Sequence, residues 1–267
     1  MKKHRKNNRK LGCMIIVVAI VLIAFTVTKC VKKDTGPPDL PSDYTSDDAE
    51  ILLRDFAKKH GLEENEWPDS LIELLDKNPE TKEFVLNYPL EKDKKFRIDL
   101  SEYKNSEAVP LFMQWDMRWG YNQYAGDLMG LTGCGPTCLS MVAVYLLNDD
   151  KYNPEFVAEF AIKEGYSVSG NGSAWSLISE GGKKLGLNVR EIPLDENVII
   201  NNLRKGYPII CIMGPGDFTA SGHFIVMTEL VGDKIKINDP NSKYRSEKLW
   251  DLPDIKNQIN NLWVCKK

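Results

Sequence analysis

Apolar residues along the chain fall into three regimes. The first is an almost unbroken run at 11–27, preceded by Lys2, Lys3, His4, Arg5, Arg9 and Lys10 and followed by Lys29, Lys32 and Lys33. As a helix of about 18 residues rising ~1.5 Å each, it would span roughly 27 Å, close to the hydrocarbon core of a bilayer. The second begins at Ala49 with helical spacing. Ile51, Leu52, Phe56 and Ala57 are placed to share one face, and Gly61 stops the helix after Lys58, Lys59 and His60. Pro68 opens a further helix at 69–75, and Pro79 precedes another at 81–86. The third regime starts near Glu107, where Gly, Trp and turn residues separate apolar segments. It predicts a buried helix at 136–148, a helix opened by Asn153-Pro154 and running to Ala161, one at 173–185 and one at 196–205. Strands are expected at 189–193, 208–213, 223–230, 234–238 and 262–266, with Gly232-Asp233 as a tight hairpin turn. Helices followed by an antiparallel sheet make an α+β pattern. Between the first two regimes, residues 34–48 are rich in Pro, Asp, Ser and Thr and read as a solvated linker.

The division is therefore a basic tail and apolar helix at 1–33, a linker at 34–48, a helical extension at 49–106 and a main domain at 107–267. A cleaved signal peptide would need a shorter apolar core and a small-residue cleavage site. Neither Ala24-Phe25-Thr26 nor Thr26-Val27-Thr28 supplies one cleanly. A lipoprotein would need a small residue before its modified cysteine, where Lys29 precedes Cys30, and Cys13 lies ahead of the apolar run. An uncleaved signal anchor fits better, with residues 11–28 as its membrane contact. The longer basic cluster is amino-terminal and should stay in the cytoplasm, which expects a single-pass protein of the cell membrane with its body extracytoplasmic.

Charge sharpens this division. Residues 1–33 hold nine of the 35 basic side chains and no acid, so the remainder carries 26 basic against 38 acidic groups. A body this acidic is a poor electrostatic partner for nucleic acid, and no nucleic-acid role is expected. The fraction of hydrophobic residues, 42%, suffices for a packed core.

Four cysteines lie outside the amino-terminal segment: Cys134, Cys138, Cys211 and Cys265. No C-x-x-C pair occurs, and only one histidine shares their half of the chain, so a tetrahedral zinc site is not expected. A Cys211–Cys265 disulfide is open outside the cell. Cys134 stands in L-T-G-C-G-P-T, directly before the helix predicted from Pro136, which suits a first helical turn. A thiol at a helix amino terminus has a larger thiolate fraction, and Gly133 and Gly135 would allow a sharp turn and close approach of a substrate. An inert cysteine in a glycine-rich turn is the alternative. Cys138, one turn further, reads as a small core residue. Among His4, His60 and His223, only His223 begins a strand-like apolar run and could partner a thiolate. Its imidazole needs an acceptor on the other ring nitrogen. Asp239 ends the strand that the Gly232-Asp233 hairpin folds back; the register decides between it and Asn238, and Asp239-Pro240 is also a turn signal.

Four motifs in order, Q-W-D-M-R-W-G from Gln114, G-C-G-P-T from Gly133, G-H-F from Gly222 and N-D-P from Asn238, resemble the bacteriocin-processing, double-glycine-type cysteine peptidases. The chain is more similar to their extracytoplasmic peptidase-like branch without a transporter, over roughly 108–265. The resemblance implies a papain-like cysteine peptidase fold, in which a helix bearing the nucleophile packs on an antiparallel sheet bearing the histidine. Cys134 would be the nucleophile, His223 the general base and then acid, Asp239 the orienting residue and Gln114 the oxyanion donor. The tryptophans and Arg118 of the first motif are given no catalytic role. No metal or organic cofactor is implied, and the partner would be a peptide or protein substrate. Two other outcomes stay open: a catalytically idle ectodomain that binds peptides or envelope polymers, and an acyl transferase that uses an amine in place of water.

Overall fold

The computed structural model describes residues 46–267. The apolar run at 11–27 and nearly all of the 34–48 linker lie outside them, and among the described residues no helix is long and apolar enough to cross a membrane.

Three helices open the described chain: α1 (Ser46–His60), α2 (Asp69–Lys77) and α3 (Lys82–Glu91). Helix α1 buries Ala49, Leu53 and Ala57, an i, i+4 seam, with Leu52 and Phe56 half-buried beside it. Ile51, expected on that face, is 49% exposed, because it lies two residues from both Ala49 and Leu53, on the side of the helix away from the seam. Gly61 ends the helix with φ at +68°, a conformation that favours glycine. A 3₁₀ turn at Pro79–Thr81 leads into α3, which runs past Pro89 to Glu91.

The main domain packs α4 (Cys134–Leu147) against a six-stranded antiparallel sheet, with α5 (Pro154–Lys163) packed on α4. Its strands are β1 (Asn188–Glu191), β2 (Ile209–Met213), β3 (His223–Val231), β4 (Lys234–Asn238), β5 (Leu249–Trp250) and β6 (Ile259–Lys266). In space they run β1-β6-β2-β3-β4-β5. Helix α4 is apolar on nearly every side, as a helix enclosed by protein must be. Ten of its residues are buried, and Asn148 closes it in the left-handed conformation. The sheet has two buried faces. Ile210, Ile212, Phe224, Val226, Trp263 and Cys265 pack toward α4 and α5. Cys211, Met213, Ile225, Met227, Leu262 and Val264 face a second cluster with α6 (Glu196–Leu203). Alternation along each strand generates these two sets. Cys211 and Cys265 therefore lie on opposite faces as free thiols, and the disulfide left open by the sequence is absent.

The helix expected at 173–185 is broken up. Ser173 ends a small hairpin, Ser167–Val168 with Gly172–Ser173, and a π-helical turn at Leu177–Gly181 follows. Gly182 lies so near Val189 that a Cβ there would sit 2.8 Å from its methyl. The segment thus winds tightly against β1 at the expense of regular helix.

The helical extension shares a core with the main domain. Leu71, Leu75, Phe84 and Val85 cluster with Met113, Trp115, Tyr121 and Leu128. Phe84 stacks on Tyr121 at 4.6 Å between ring centroids, and the Tyr121 hydroxyl donates to Phe84 O at 2.7 Å. The Phe84 ring fills the space a side chain would need at Gly130, where a Cβ would come within 2.5 Å of Cζ. Gly130→Ala is expected to destabilise the fold by about 1–3 kcal/mol through overpacking; urea unfolding followed by tryptophan fluorescence checks it, and an unchanged midpoint would contradict this packing.

Candidate active site

Helix α4 extends two residues further toward its amino terminus than Pro136 suggests, so Cys134 is its first residue. There the backbone N–H groups have no intrahelical acceptors, and the helix dipole favours negative charge. The flanking glycines serve a different purpose from the one expected. Neither has a positive φ; a Cβ on Gly133 would meet Met129 O at 2.5 Å, and one on Gly135 would collide with the Ser173 hydroxyl. Their small size lets the preceding turn and the Ser167–Ser173 hairpin close on both sides of Cys134.

His223 is the first residue of β3 and pairs with Met213 across the sheet. Its ring is 7% exposed. Nε2 lies 2.7 Å from Asp239 Oδ1, and the ring's other side is free to act on the Cys134 thiol, whose thiolate it favours. The hairpin register places Asp239, and not Asn238, against the imidazole. Asn238 stands opposite Val226, and its amide donates to Pro110 O at 2.9 Å and Val109 O at 3.1 Å. Alternation along β4 sends the adjacent Asp239 the other way, beside His223. Asn238 instead ties down the strand-like segment that leads to Gln114.

Asp239 is fully buried and fully engaged. Besides His223, Oδ1 accepts the Asn241 N–H at 2.8 Å, and Oδ2 accepts Arg245 Nε at 2.5 Å. Its own N–H donates to Ser246 Oγ at 2.9 Å. Arg245 and Ser246 belong to α7 (Lys243–Glu247), a single turn capped by the Ser242 hydroxyl, which accepts the Arg245 N–H at 3.1 Å. The sequence reading missed Arg245. It sits among Lys243, Glu247 and Lys248, a mixed-charge stretch that reads as a solvated surface.

The electrostatics follow from these contacts. Burial raises the Cys134 pKa, but the hydrogen bond and charge of His223, with the N–H groups of Phe224 and Gly135, outweigh it and bring the pKa below that of an ordinary thiol. Burial likewise works against the imidazolium; Asp239 and the thiolate overcome it and raise His223 to about 10. Asp239 is disfavoured by burial yet held below the usual carboxylate range by His223 and Arg245. The favoured state is a thiolate–imidazolium pair backed by a carboxylate and a guanidinium. Cys138, buried one turn below and close to the charges of Cys134 and Asp239, is pushed well above an ordinary thiol, as a core residue should be.

Gln114 is 3% exposed. Its N–H donates to Pro240 O at 2.8 Å, joining it to the Asp239 turn. Its side-chain Nε2 donates to Gly130 O at 2.8 Å, in the Met129–Thr132 turn that leads to Cys134, while Oε1 has no protein partner. The rest of its motif packs the loop. Trp119 Nε1 donates to Met113 O at 2.8 Å. Arg118 grips Asp116 at 2.8 and 3.0 Å and stacks over the Trp119 ring.

Among curated proteins none matches the chain. The solved structures that match it include the following two. The peptidase domain of Streptococcus ComA, a bi-functional ABC transporter involved in quorum sensing, is 20% identical with a TM-score of 0.43, covering 60% of this chain and 99% of that one. A C39-like peptidase from Bacillus anthracis is 15% identical with a TM-score of 0.41, covering 65% and 98%. The Peptidase_C39 like family matches residues 106–265, a span that holds Gln114, Cys134, His223 and Asp239. By that match over more than half its length, the chain belongs to the Peptidase_C39 like family.

Proposed function

We propose that the chain is a membrane-anchored, extracytoplasmic cysteine peptidase that cleaves a peptide or amide bond through a thioester acyl-enzyme. One observation carries the catalytic part: an imidazole whose Nε2 is held 2.7 Å from a buried carboxylate acts on a thiol at a helix amino terminus and favours its thiolate. The anchoring part rests on the sequence alone, on the apolar run at 11–27 and its basic flanks.

The Cys134 thiolate attacks the carbonyl carbon, and the carbonyl π electrons move to oxygen. Nε2 of Gln114 has one N–H on Gly130 O; the second, with the Cys134 backbone N–H, stabilises that oxyanion. His223, as imidazolium, protonates the departing amine as the C–N bond breaks. The neutral imidazole then takes a proton from water, which attacks the thioester; the C–S bond breaks, the carboxylic acid product leaves and the thiolate–imidazolium pair is restored. Asp239 holds the ring in place and offsets its charge, and Arg245 keeps Asp239 ionised.

Iodoacetamide alkylation followed by peptide mapping tests the reading. Cys134 should react at near-neutral pH in the folded protein, while Cys138, Cys211 and Cys265 stay unmodified. Those three are fully buried, and burial raises the pKa of each, Cys265 to about 12. Modification of Cys138 or Cys211 at a rate equal to that of Cys134 would sink it. Hydrolysis of a mixed peptide pool, present in the wild type and absent in Cys134→Ala, separates a peptidase from an idle binding domain.

A further inference from the structure

The helical extension reaches the site along two routes. At its 3₁₀ turn, the Glu80 carboxylate accepts Ser242 Oγ–H at 2.5 Å, the Lys243 N–H at 2.7 Å and the Tyr244 N–H at 3.3 Å. Asn78 Nδ2 donates to Asn241 O at 2.7 Å beside it. These residues form the cap and first turn of α7, the element that presents Arg245 to Asp239. Ser242 Oγ stands at the junction: it donates to Glu80 and accepts from the Arg245 N–H. A continuous series of hydrogen bonds thus runs from Glu80 through Ser242, Arg245 and Asp239 to His223, whose ring acts on Cys134. On the other route, one turn along the extension, Phe84 packs against Gly120 and Gly130, and Gly130 O holds the Gln114 amide.

We infer that the extension is part of the site's supporting frame, and that Glu80 is a positioning residue acting through Ser242 and Arg245 on the Asp239–His223 pair. This rests on the peptidase reading and adds to it an element from outside the family-matched span, which begins at residue 106. A helix of one turn has little stability of its own. Two of its otherwise free amino-terminal N–H groups and the hydroxyl of its cap residue converge on one carboxylate, and charge-assisted hydrogen bonds of this kind are the strong ones. The role is distinct from that of a detachable cover, because Glu80 contacts the back of the Asp239 turn and not Cys134. Among the described residues, the titratable and charged groups around the reactive pair are Asp239, Arg245, Tyr124 and Cys138; Glu80 acts at one remove.

The test is the pH profile of Cys134 alkylation by iodoacetamide in the 267-residue chain, measured for the wild type, Glu80→Gln and Ser242→Ala, with thermal unfolding alongside. Gln keeps the shape of Glu80 but removes its charge and leaves one acceptor oxygen where the carboxylate has two. Both variants should shift the alkylation midpoint upward and slow the reaction below that midpoint by about 3-fold or more, and the double variant should show no further shift. A structural role alone would lower the melting temperature and leave the folded protein's midpoint where it was; that result overturns the inference. A midpoint that His223→Ala moves but neither variant moves rejects the role of Glu80 while the Cys134–His223 pairing stands. If His223→Ala also leaves it unmoved, the underlying reading fails instead.

Discussion

His223→Ala will reduce peptide hydrolysis by on the order of 10⁴- to 10⁶-fold, the scale on which members of a nucleophile–base unit fail when removed singly. The expectation follows from the balance of forces on the sulfur. Burial opposes the thiolate, and His223 is its strongest counterweight. With the imidazole gone, the Cys134 pKa should climb above that of an ordinary thiol. Iodoacetamide alkylation of Cys134 at neutral pH then becomes slow, and its midpoint moves up. The wild-type profile has a defined shape. Hydrolysis rises as pH passes the lowered thiol pKa and falls as it approaches about 10, where His223 loses the proton the leaving amine requires. Stability should follow the same group. Because the folded pKa of His223 is raised above 6.5, its contribution is fully present below that value and is lost as pH rises through about 10. An alanine variant with unchanged turnover and an unchanged alkylation profile would remove His223 from the chemistry.

Arg245→Met is expected to cost about 3–5 kcal/mol of stability at neutral pH, the range for breaking one side of a buried ion pair. The Asp239 carboxylate has no solvent contact, and Arg245 is 9% exposed. Methionine would fill much of the arginine's space and leave a buried charge with its compensation halved. The sign of the pH dependence separates this cause from lost packing. The folded pKa of Asp239 lies below 3.8, so the carboxylate's stabilising contribution is present above that value and is lost as pH falls through the folded one. The gap between wild type and variant should therefore narrow below about pH 4. Urea unfolding at neutral and acidic pH measures both quantities. A constant gap would assign the loss to packing, and no gap would show that Arg245 is dispensable.

The parts of the site that could be read from sequence were those with a local physical signature. Cys134 is betrayed by glycines and a proline at the mouth of an apolar helix. His223 opens a strand whose hairpin partner ends at Asp239, and chain length between the two strands was enough to bring them side by side. The choice of Asp239 over Asn238 was not available, because one step of register exchanges the faces of the sheet, and β3 carries an irregularity between Met227 and Glu229. Gln114 came from the resemblance alone. Its neighbours Trp115 and Trp119 have packing roles that no spacing rule separates from a catalytic one.

Arg245 and Glu80 were illegible for a common reason. Each is a charged residue in a charged neighbourhood, and each acquires its role from a partner far along the chain, 162 positions away in the contact of Glu80 with Ser242. The failed helix at 173–185 has a related cause. Its apolar spacing is compatible with a helix, and only the close approach of Gly182 to Val189 replaces part of it with a tighter winding.

The position of β6 has a consequence for how the molecule is made. It lies between β1 and β2, pairing with both, so neither can complete its ladder until residues 259–266 have left the ribosome. Up to then, the strand next to the one bearing His223 offers an open edge to any neighbouring polypeptide, and the nascent chain has every reason to be escorted.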